Sequence, residues 1–273
     1  THTHTPGAVS GRTDPPLGHL PTFPAMAVVK PGAEHPSILS PMGAAARYRF
    51  DPDSLLQRRI TAVVRHFDVT LPLSNPQLLE SFRTRNSRWD AESLALTVAW
   101  TGEYPGKWLT HCSELWRLTQ DPELRATIQL AVDELAACQA EDGYLAPWPD
   151  SRRWSTQHWD TWGHYHCMIG CLLWADASGD PTALAVATKI GDVVCGAFTT
   201  PQKLFAQGGL EQNMAILHSV ACLFTRTRDP KLLAFCNVVL AELQMPPAGD
   251  CLRNALAGKQ FYQGSQTRWE ALC

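Results

Sequence analysis

Charge is scarce in this sequence. Only 18% of its 273 residues are Asp, Glu, Lys or Arg, the formal net charge is −3, and no long run carries one sign. That excludes the basic surface needed to neutralise nucleic-acid phosphates or to hold an anionic membrane. Long apolar runs are missing too: none approaches the ~18 residues of a membrane-spanning helix. Secreted-scaffold cysteine spacing is absent. Nine Cys is an odd number, and Cys138, Cys167, Cys171, Cys222 and Cys236 sit inside apolar helical patterns. They read as reduced core residues, not as a disulfide framework. The first residue is Thr and no leader-like stretch follows it, so the chain reads as processed or as a fragment. No pattern names a compartment. What the sequence does hold is apolar mass, 45% hydrophobic with ten Trp, enough for one large core or two smaller ones.

Residues 1–48 are rich in Pro, Gly, Ala and Thr and have no periodicity. They read as a disordered or draped arm, and 49–273 as the folded domain. Ser54 to Val64 suits a short helix, Phe67-Asp68-Val69-Thr70-Leu71 an extended segment, and Pro76 to Phe82 a helix start capped by Ser74 or Asn75. The rest is organised around a recurring punctuation. Asp121-Pro122, Asp180-Pro181 and Asp229-Pro230 each follow an apolar run and a short polar link, at offsets of 59 and then 49 residues. Asp accepts from the open N–H groups of a helix's first turn, and Pro suits the next position because its missing N–H would be orphaned anyway. Each copy therefore ends one helix and begins the next, and the chain is a series of helical hairpins.

The two helices of each hairpin differ. Asp160 to Ala177 is apolar or aromatic nearly all round, whereas Pro181 to Cys195 carries a single apolar stripe; Gln212 to Phe224 and Pro230 to Leu243 repeat the contrast. A helix apolar on every face is buried on every face. Buried first helices and half-exposed second helices make two concentric layers, so the expected fold is all-α, an α/α toroid of helical hairpins. A closed ring of six such hairpins needs roughly 300 residues or more. The hairpins visible here begin near residue 105, so the six-hairpin toroid is expected to be incomplete in this chain.

Two links between hairpins carry more chemistry than connection requires. One runs from Trp100 to Leu109 and contains Glu103 and Trp108. The other contains Asp142-Gly143-Tyr144 and leads to Trp159-Asp160-Thr161-Trp162-Gly163-His164-Tyr165-His166. Aromatic faces beside carboxylates and histidines suit a carbohydrate, whose ring faces stack while its hydroxyls take directed hydrogen bonds.

Gly106-Lys107-Trp108-Leu109, Gln139-x-x-Asp142-Gly143-Tyr144-Leu145, and Trp162-x-x-x-His166 followed by Ser178-Gly179-Asp180 resemble the N-terminal half of the β-L-arabinofuranosidase family, glycoside hydrolase family 127 and its relatives. The resemblance runs from about Trp89 to the C-terminus, where Gly258-Lys259-x-x-Tyr262 and Arg268-Trp269-Glu270 match a subgroup. It implies an (α/α)6 barrel followed by a β-sandwich. It also implies a retaining glycosidase in which a zinc-bound cysteine thiolate attacks the anomeric carbon and a Glu serves as acid and base. Zinc lowers a thiol's pKa and holds it as thiolate, and a covalent intermediate divides one hard displacement into two. In that family the nucleophile, the acid/base Glu and the zinc ligands lie in later hairpins, so no zinc and no turnover are expected of this chain alone. What carries over is the sugar-contacting shell. His166 matches a pocket-facing helix histidine and Trp108 lies in the family's Lys-Trp-Leu segment. Trp162, Glu103, Tyr144 and, at the third hairpin near Asn213, His218 complete the candidate substrate-binding set. The expected partner is a carbohydrate, with self-association or packing against a missing C-terminal half.

Plainer readings compete with each of these. His166 is equally a core histidine on a carbonyl. His164, Cys167 and Cys171 at i, i+3 and i+7 form a stripe that could present three metal ligands, but it reads first as core, since structural zinc takes four. Glu103 and Asp160 are an acid/base pair or a loop carboxylate and a helix cap, and Tyr144 is a pocket wall or a turn anchor. Two further functions stay open at this point: a non-catalytic sugar-binding or partner-packing barrel fragment, and a carboxylate-only hydrolase of another α/α toroid family.

Overall fold

The three Asp-Pro turns are built alike, and their construction goes further than Asp-Pro. A computed structural model describes residues 50–75, 78–87, 98–155, 158–199 and 212–243. The paired helices are α4 (Tyr104–Thr119) with α5 (Pro122–Cys138), α6 (Asp160–Ser178) with α7 (Pro181–Ala197), and α8 (Ile216–Thr227) with α9 (Pro230–Glu242). At each turn the Asp side chain accepts backbone N–H groups: Asp121 from Glu123 and Leu124, Asp180 from Thr182, Asp229 from Lys231. The residue before it is left-handed: Gln120 (φ 54°), Gly179 (φ 77°) and Arg228 (φ 59°). One position earlier stands a hydroxyl. Thr119, Ser178 and Thr227 each donate to a carbonyl four residues back and accept the N–H of the capping Asp. The working unit is therefore Ser/Thr-x-Asp-Pro. It closes the last turn of one helix and opens the first turn of the next with a single reversed residue between them.

The layers follow the apolar patterns. Twelve of the 19 residues of α6 are buried, against six of 17 in α7. Helix α6 packs on α4, α7 and α8, while α5 and α7 pack on each other outside it. The order α4, α6, α8 inside and α5, α7, α9 outside is that of an α/α toroid, and the described residues contain no strand. Glycines set the spacing of the inner layer. A Cβ on Gly106 of α4 would lie 2.1 Å from the His166 carbonyl carbon, and one on Gly170 of α6 would lie 2.6 Å from Leu109 Cβ. Helices α4 and α6 thus touch backbone to backbone at these glycines, where a larger residue would hold them apart. The seven described cysteines are all free.

Ahead of the hairpins lie α1 (Leu55–Val63), a π-helical turn (Val64–Asp68), α2 (Leu71–Ser74) and α3 (Glu80–Arg83). Ser54 caps α1 by accepting the Gln57 N–H. The extended segment expected over Phe67–Leu71 is helical instead. Its alternation of apolar and polar residues runs against the burial: Phe67 is 54% exposed while Asp68 is fully buried. The reason lies outside the segment, because Asp68 Oδ1 meets His111 Nε2 of α4 at 3.2 Å and an inward carboxylate needs such a partner. The helix read from Pro76 to Phe82 is present only as Glu80–Arg83, with residues 76 and 77 outside the described set. The arm at 1–48 and the motifs at 258–270 also lie outside the described residues.

Candidate functional site

The N-terminal ends of the three inner helices come together. Glu103 ends a 3-10 turn (Thr101–Glu103) and is the N-cap residue of α4; Trp162, Tyr165 and His166 lie in the first two turns of α6; His218 lies in the first turn of α8. Their side chains form one continuous group. The Trp162 indole N–H donates to Glu103 Oε2. Lys107 Nζ reaches Glu103 Oε1 at 2.8 Å and sits 5.6 Å from the Trp162 ring centroid. His166 meets the Trp162 ring edge to face, with centroids 4.3 Å apart at 89°. Tyr165 lies 4.6 Å from His166, and its hydroxyl is 3.3 Å from His218 Nδ1. The close approach of Gly106 to His166 and of Gly163 to Gly102 is what brings the Glu103 turn against Trp162.

The electrostatics of the group favour neutral imidazoles. Burial, with Lys107 adding to it, lowers His166 to about 3. Burial and then Arg226 lower His218. His166 Nε2 is buried and has no hydrogen-bond partner among the described residues. A neutral imidazole with a spare ring nitrogen can accept from or donate to a hydroxyl. Both oxygens of Glu103 already receive donors, which suits a side chain that orients its neighbours.

Two expected residues stand elsewhere. Tyr144 is fully buried, and its hydroxyl donates to Asp160 Oδ2 at 3.0 Å, so it anchors the turn behind the site and presents no face to it. Trp108, 4% exposed, is a core residue. It lines a cleft of 440 Å³ with Phe67, Leu71, Tyr104, His111 and Lys107, and Lys107 joins that cleft to the Glu103 group. Asp160 does not cap its helix: Trp159 holds the N-cap position, and the Asp160 carboxylate takes the Tyr144 hydroxyl and the Trp154 N–H. At 3% exposure it offers no acid or base to a bound sugar, and the carboxylate pair with Glu103 is not assembled. Sequence reasoning missed Lys107 and Tyr165. The i, i+4 spacing of Glu103 and Lys107 was the available signal for the first. Tyr165 had none beyond its neighbours.

The stripe His164, Cys167, Cys171 does not fit zinc. Both ring nitrogens of His164 are used, Nδ1 toward the Asp160 carbonyl at 2.7 Å and Nε2 toward the Leu145 N–H at 3.0 Å. Burial pushes the Cys167 thiol up to about 12 and holds Cys171 well above the ordinary thiol range, as for thiols packed in a core. Among the described residues no three His, Cys, Asp or Glu side chains are arranged to hold a metal ion.

Residues 51–262 match the profile of the β-L-arabinofuranosidase, GH127 catalytic domain family. The chain belongs to that family. Among solved structures it is similar to a GH127 β-L-arabinofuranosidase from Geobacillus stearothermophilus T6, with 19% identity, a TM-score of 0.55, and coverage of 79% of this chain and 37% of that one. It is similar also to a GH127 β-arabinofuranosidase, with 19% identity, a TM-score of 0.51, and coverage of 68% and 31%. At that identity the likeness establishes the GH127 fold. No curated protein matches the chain. The chain spans about a third of the length of these two structures.

Proposed function

We propose that this GH127 chain supplies the sugar-contacting wall of a glycoside hydrolase acting on β-L-arabinofuranosides or related plant-type glycans. The observation that supports the reading is the continuous group Lys107, Glu103, Trp162, His166, Tyr165 and His218 at one end of the inner helices. Trp162 and Tyr165, 6% and 7% exposed, form the floor of the site rather than an open stacking face, and the unpartnered nitrogen of His166 is the group that would meet a sugar hydroxyl. Glu103 fixes the indole through its N–H, and Lys107 fixes Glu103. Zinc and its thiolate belong to the family's chemistry, but the described residues do not fit the ion. The reading assigns the metal ligands, the nucleophile and the acid/base carboxylate to segments outside them. With Asp160 enclosed, the carboxylate-only alternative finds no second carboxylate beside Glu103 among the described residues.

The test is calorimetric titration of the 273-residue protein with methyl β-L-arabinofuranoside, together with zinc by elemental analysis and hydrolysis of the p-nitrophenyl arabinofuranoside. Binding is expected, weakened about tenfold or more by His166→Ala, a loss of ~1.4 kcal/mol. Stoichiometric zinc and turnover are not expected of this chain by itself. Absence of binding, or binding indifferent to His166→Ala, overturns the sugar-site reading. One zinc per chain with turnover abolished by Cys167→Ser would return the stripe in α6 to the centre of the chemistry.

A further inference from the structure

The first two turns of α6 have two working faces. Residues two apart on a helix point about 200° apart, so Trp162 and His166 lie opposite Asp160 and His164. The first pair meets the candidate sugar site. The second pair meets the loop that follows α5: Asp160 Oδ2 and both His164 ring nitrogens are paired with that loop or with the helix itself, while Asp160 Oδ1 is buried without a hydrogen-bond partner among the described residues. Asp160 Oδ2 accepts the Tyr144 hydroxyl at 3.0 Å and the Trp154 N–H at 2.5 Å. The Asp160 carbonyl accepts from His164 Nδ1 at 2.7 Å, which leaves Nε2 to accept the Leu145 N–H at 3.0 Å. One helical turn therefore holds the loop at both sides, at residues 144–145 and at residue 154.

The backbone at the second of these contacts is unusual. Trp154 adopts φ 56°, a left-handed conformation that is an outlier for a bulky residue and persists only where its surroundings fix it. Its N–H is taken by Asp160. Its ring lies against His164 at 5.0 Å and meets Tyr144 and Phe198 edge to face at 5.4 and 5.2 Å. Asp160, His164, Tyr144 and Leu145 are all buried at 3% exposure or less, so none of them can touch a ligand. Their effect must pass through the helix.

We propose that Asp160 and His164 form a clasp on the 144–154 loop that fixes the rotation of α6 about its own axis, making Asp160 the positioning residue for Trp162 and His166. The proposal rests on the sugar-site reading for its consequence, though the clasp itself does not. The clasp uses one carboxylate oxygen as a double acceptor, and an amide oxygen serves the same purpose. Asp160→Asn should therefore restore what Asp160→Ala removes, which a role in bulk stability alone would not produce.

The experiment has two readouts on the full chain. Hydrogen–deuterium exchange over residues 160–167 is measured without ligand, and affinity for methyl β-L-arabinofuranoside is measured by calorimetry. Asp160→Ala is expected to speed exchange in that segment and weaken affinity, each by about tenfold or more, and Asp160→Asn to hold both within about threefold of the parent protein. A folded Asp160→Ala protein with parental exchange and affinity overturns the proposal. So does an Asp160→Asn protein as impaired as Asp160→Ala, because the hydrogen-bond geometry would then not be what matters. If Asp160→Ala does not fold, Tyr144→Phe decides: it removes one donor without changing shape, faster exchange at 160–167 is expected, and unchanged exchange refutes the clasp. If the parent protein binds no arabinofuranoside, the sugar-site reading fails while the exchange arm still judges the clasp.

Discussion

Replacing Gly106 by Ala tests the architecture at its tightest point. The new Cβ would lie 2.1 Å from the His166 carbonyl carbon and 2.3 Å from both the Cys167 nitrogen and the His166 oxygen, all backbone atoms of α6. No side chain can swing aside to relieve that contact. Reaching ordinary van der Waals separation requires α4 and α6 to part by about 1 Å along a face where Leu109, Cys112, Cys167 and Met168 are fully buried. Overpacking of a well-filled core costs about 1–3 kcal/mol, and a parting of this size also opens voids at about 24 cal/mol per Å³. Alanine's better helix propensity returns at most about 1 kcal/mol. A net loss of about 2–4 kcal/mol is expected, a large part of a typical domain stability of about 5–15 kcal/mol. Urea denaturation followed by tryptophan fluorescence reads it directly. Two other glycines calibrate the measurement. Gly196→Ala meets nothing within 4 Å and should be neutral or slightly stabilising. Gly179→Ala is equally uncrowded but sits at φ 77°, so it should cost about 1–2 kcal/mol of backbone strain alone. If Gly106→Ala matches Gly196→Ala, the two inner helices do not approach as described.

Burial raises the Asp160 carboxyl to about 7 from an ordinary 3.8, against the opposing pull of the Trp154 N–H, Tyr144 and Arg153. A raised folded-state value means stability present below about 3.8 and lost as pH climbs through about 7, on the order of 4 kcal/mol over the window. Asp160→Asn cannot ionise, so its stability relative to the parent should improve between pH 4 and pH 8 in urea titrations; a constant difference refutes the burial argument. His164, lowered to about 4 by burial, acts in the opposite sense. Its contribution is present above about 6.5 and lost as pH falls through about 4, so His164→Gln should flatten the acid side of the parent curve. The described cysteines are free, and burial raises the thiols of Cys167 and Cys195 to about 12 and of Cys236 to about 11. Disulfide-exchange reagents should label these three slowly in the native protein at pH 8 and quickly in urea, and fast native labelling would contradict their placement. Asp180→Ala removes a helix cap and the acceptor for Gln129 Nε2 of the preceding hairpin. It should cost about 1–2 kcal/mol by thermal denaturation, and a neutral result would mean the turn is not held by its cap.

The hairpins were legible because their signals are local. Asp at a cap, Pro after it and an apolar stripe on a single helix are properties of adjacent residues, and helix ends fell within a few residues of expectation at Asp121, Asp180 and Asp229. The hydroxyl two places before each Asp was in plain sight in Thr119, Ser178 and Thr227, but its purpose appears only once the left-handed residue between them is known. The reading failed where a distant partner decides. Asp68 turns inward because His111 stands on another helix, and the segment expected to be extended is helical. The positions of Tyr144 and Trp108 were set in the same way. Both belong to motifs whose neighbours reach the site, yet one side chain is enclosed by Asp160 and the other packs in the core beside the cleft at Phe67.

The same distinction explains how the candidate site is built. An all-round apolar helix such as α6 announces that it is buried, but its composition says nothing about which face meets which neighbour. That choice is made by what the helix cannot accommodate and by what it must satisfy. Gly163 and Gly170 let α6 lie against α4, which fixes their separation. Asp160 Oδ2 and His164 Nε2 pair with the 144–154 loop, which fixes its rotation. With distance and rotation both set, Trp162 and His166 have one direction left, and it is toward Glu103, Lys107 and, through Tyr165, His218. The residues that carry the resemblance to the GH127 family are thus aimed by residues that never reach the site. Gly106→Ala or Asp160→Ala should therefore disturb ligand contact as surely as His166→Ala, through geometry in place of chemistry.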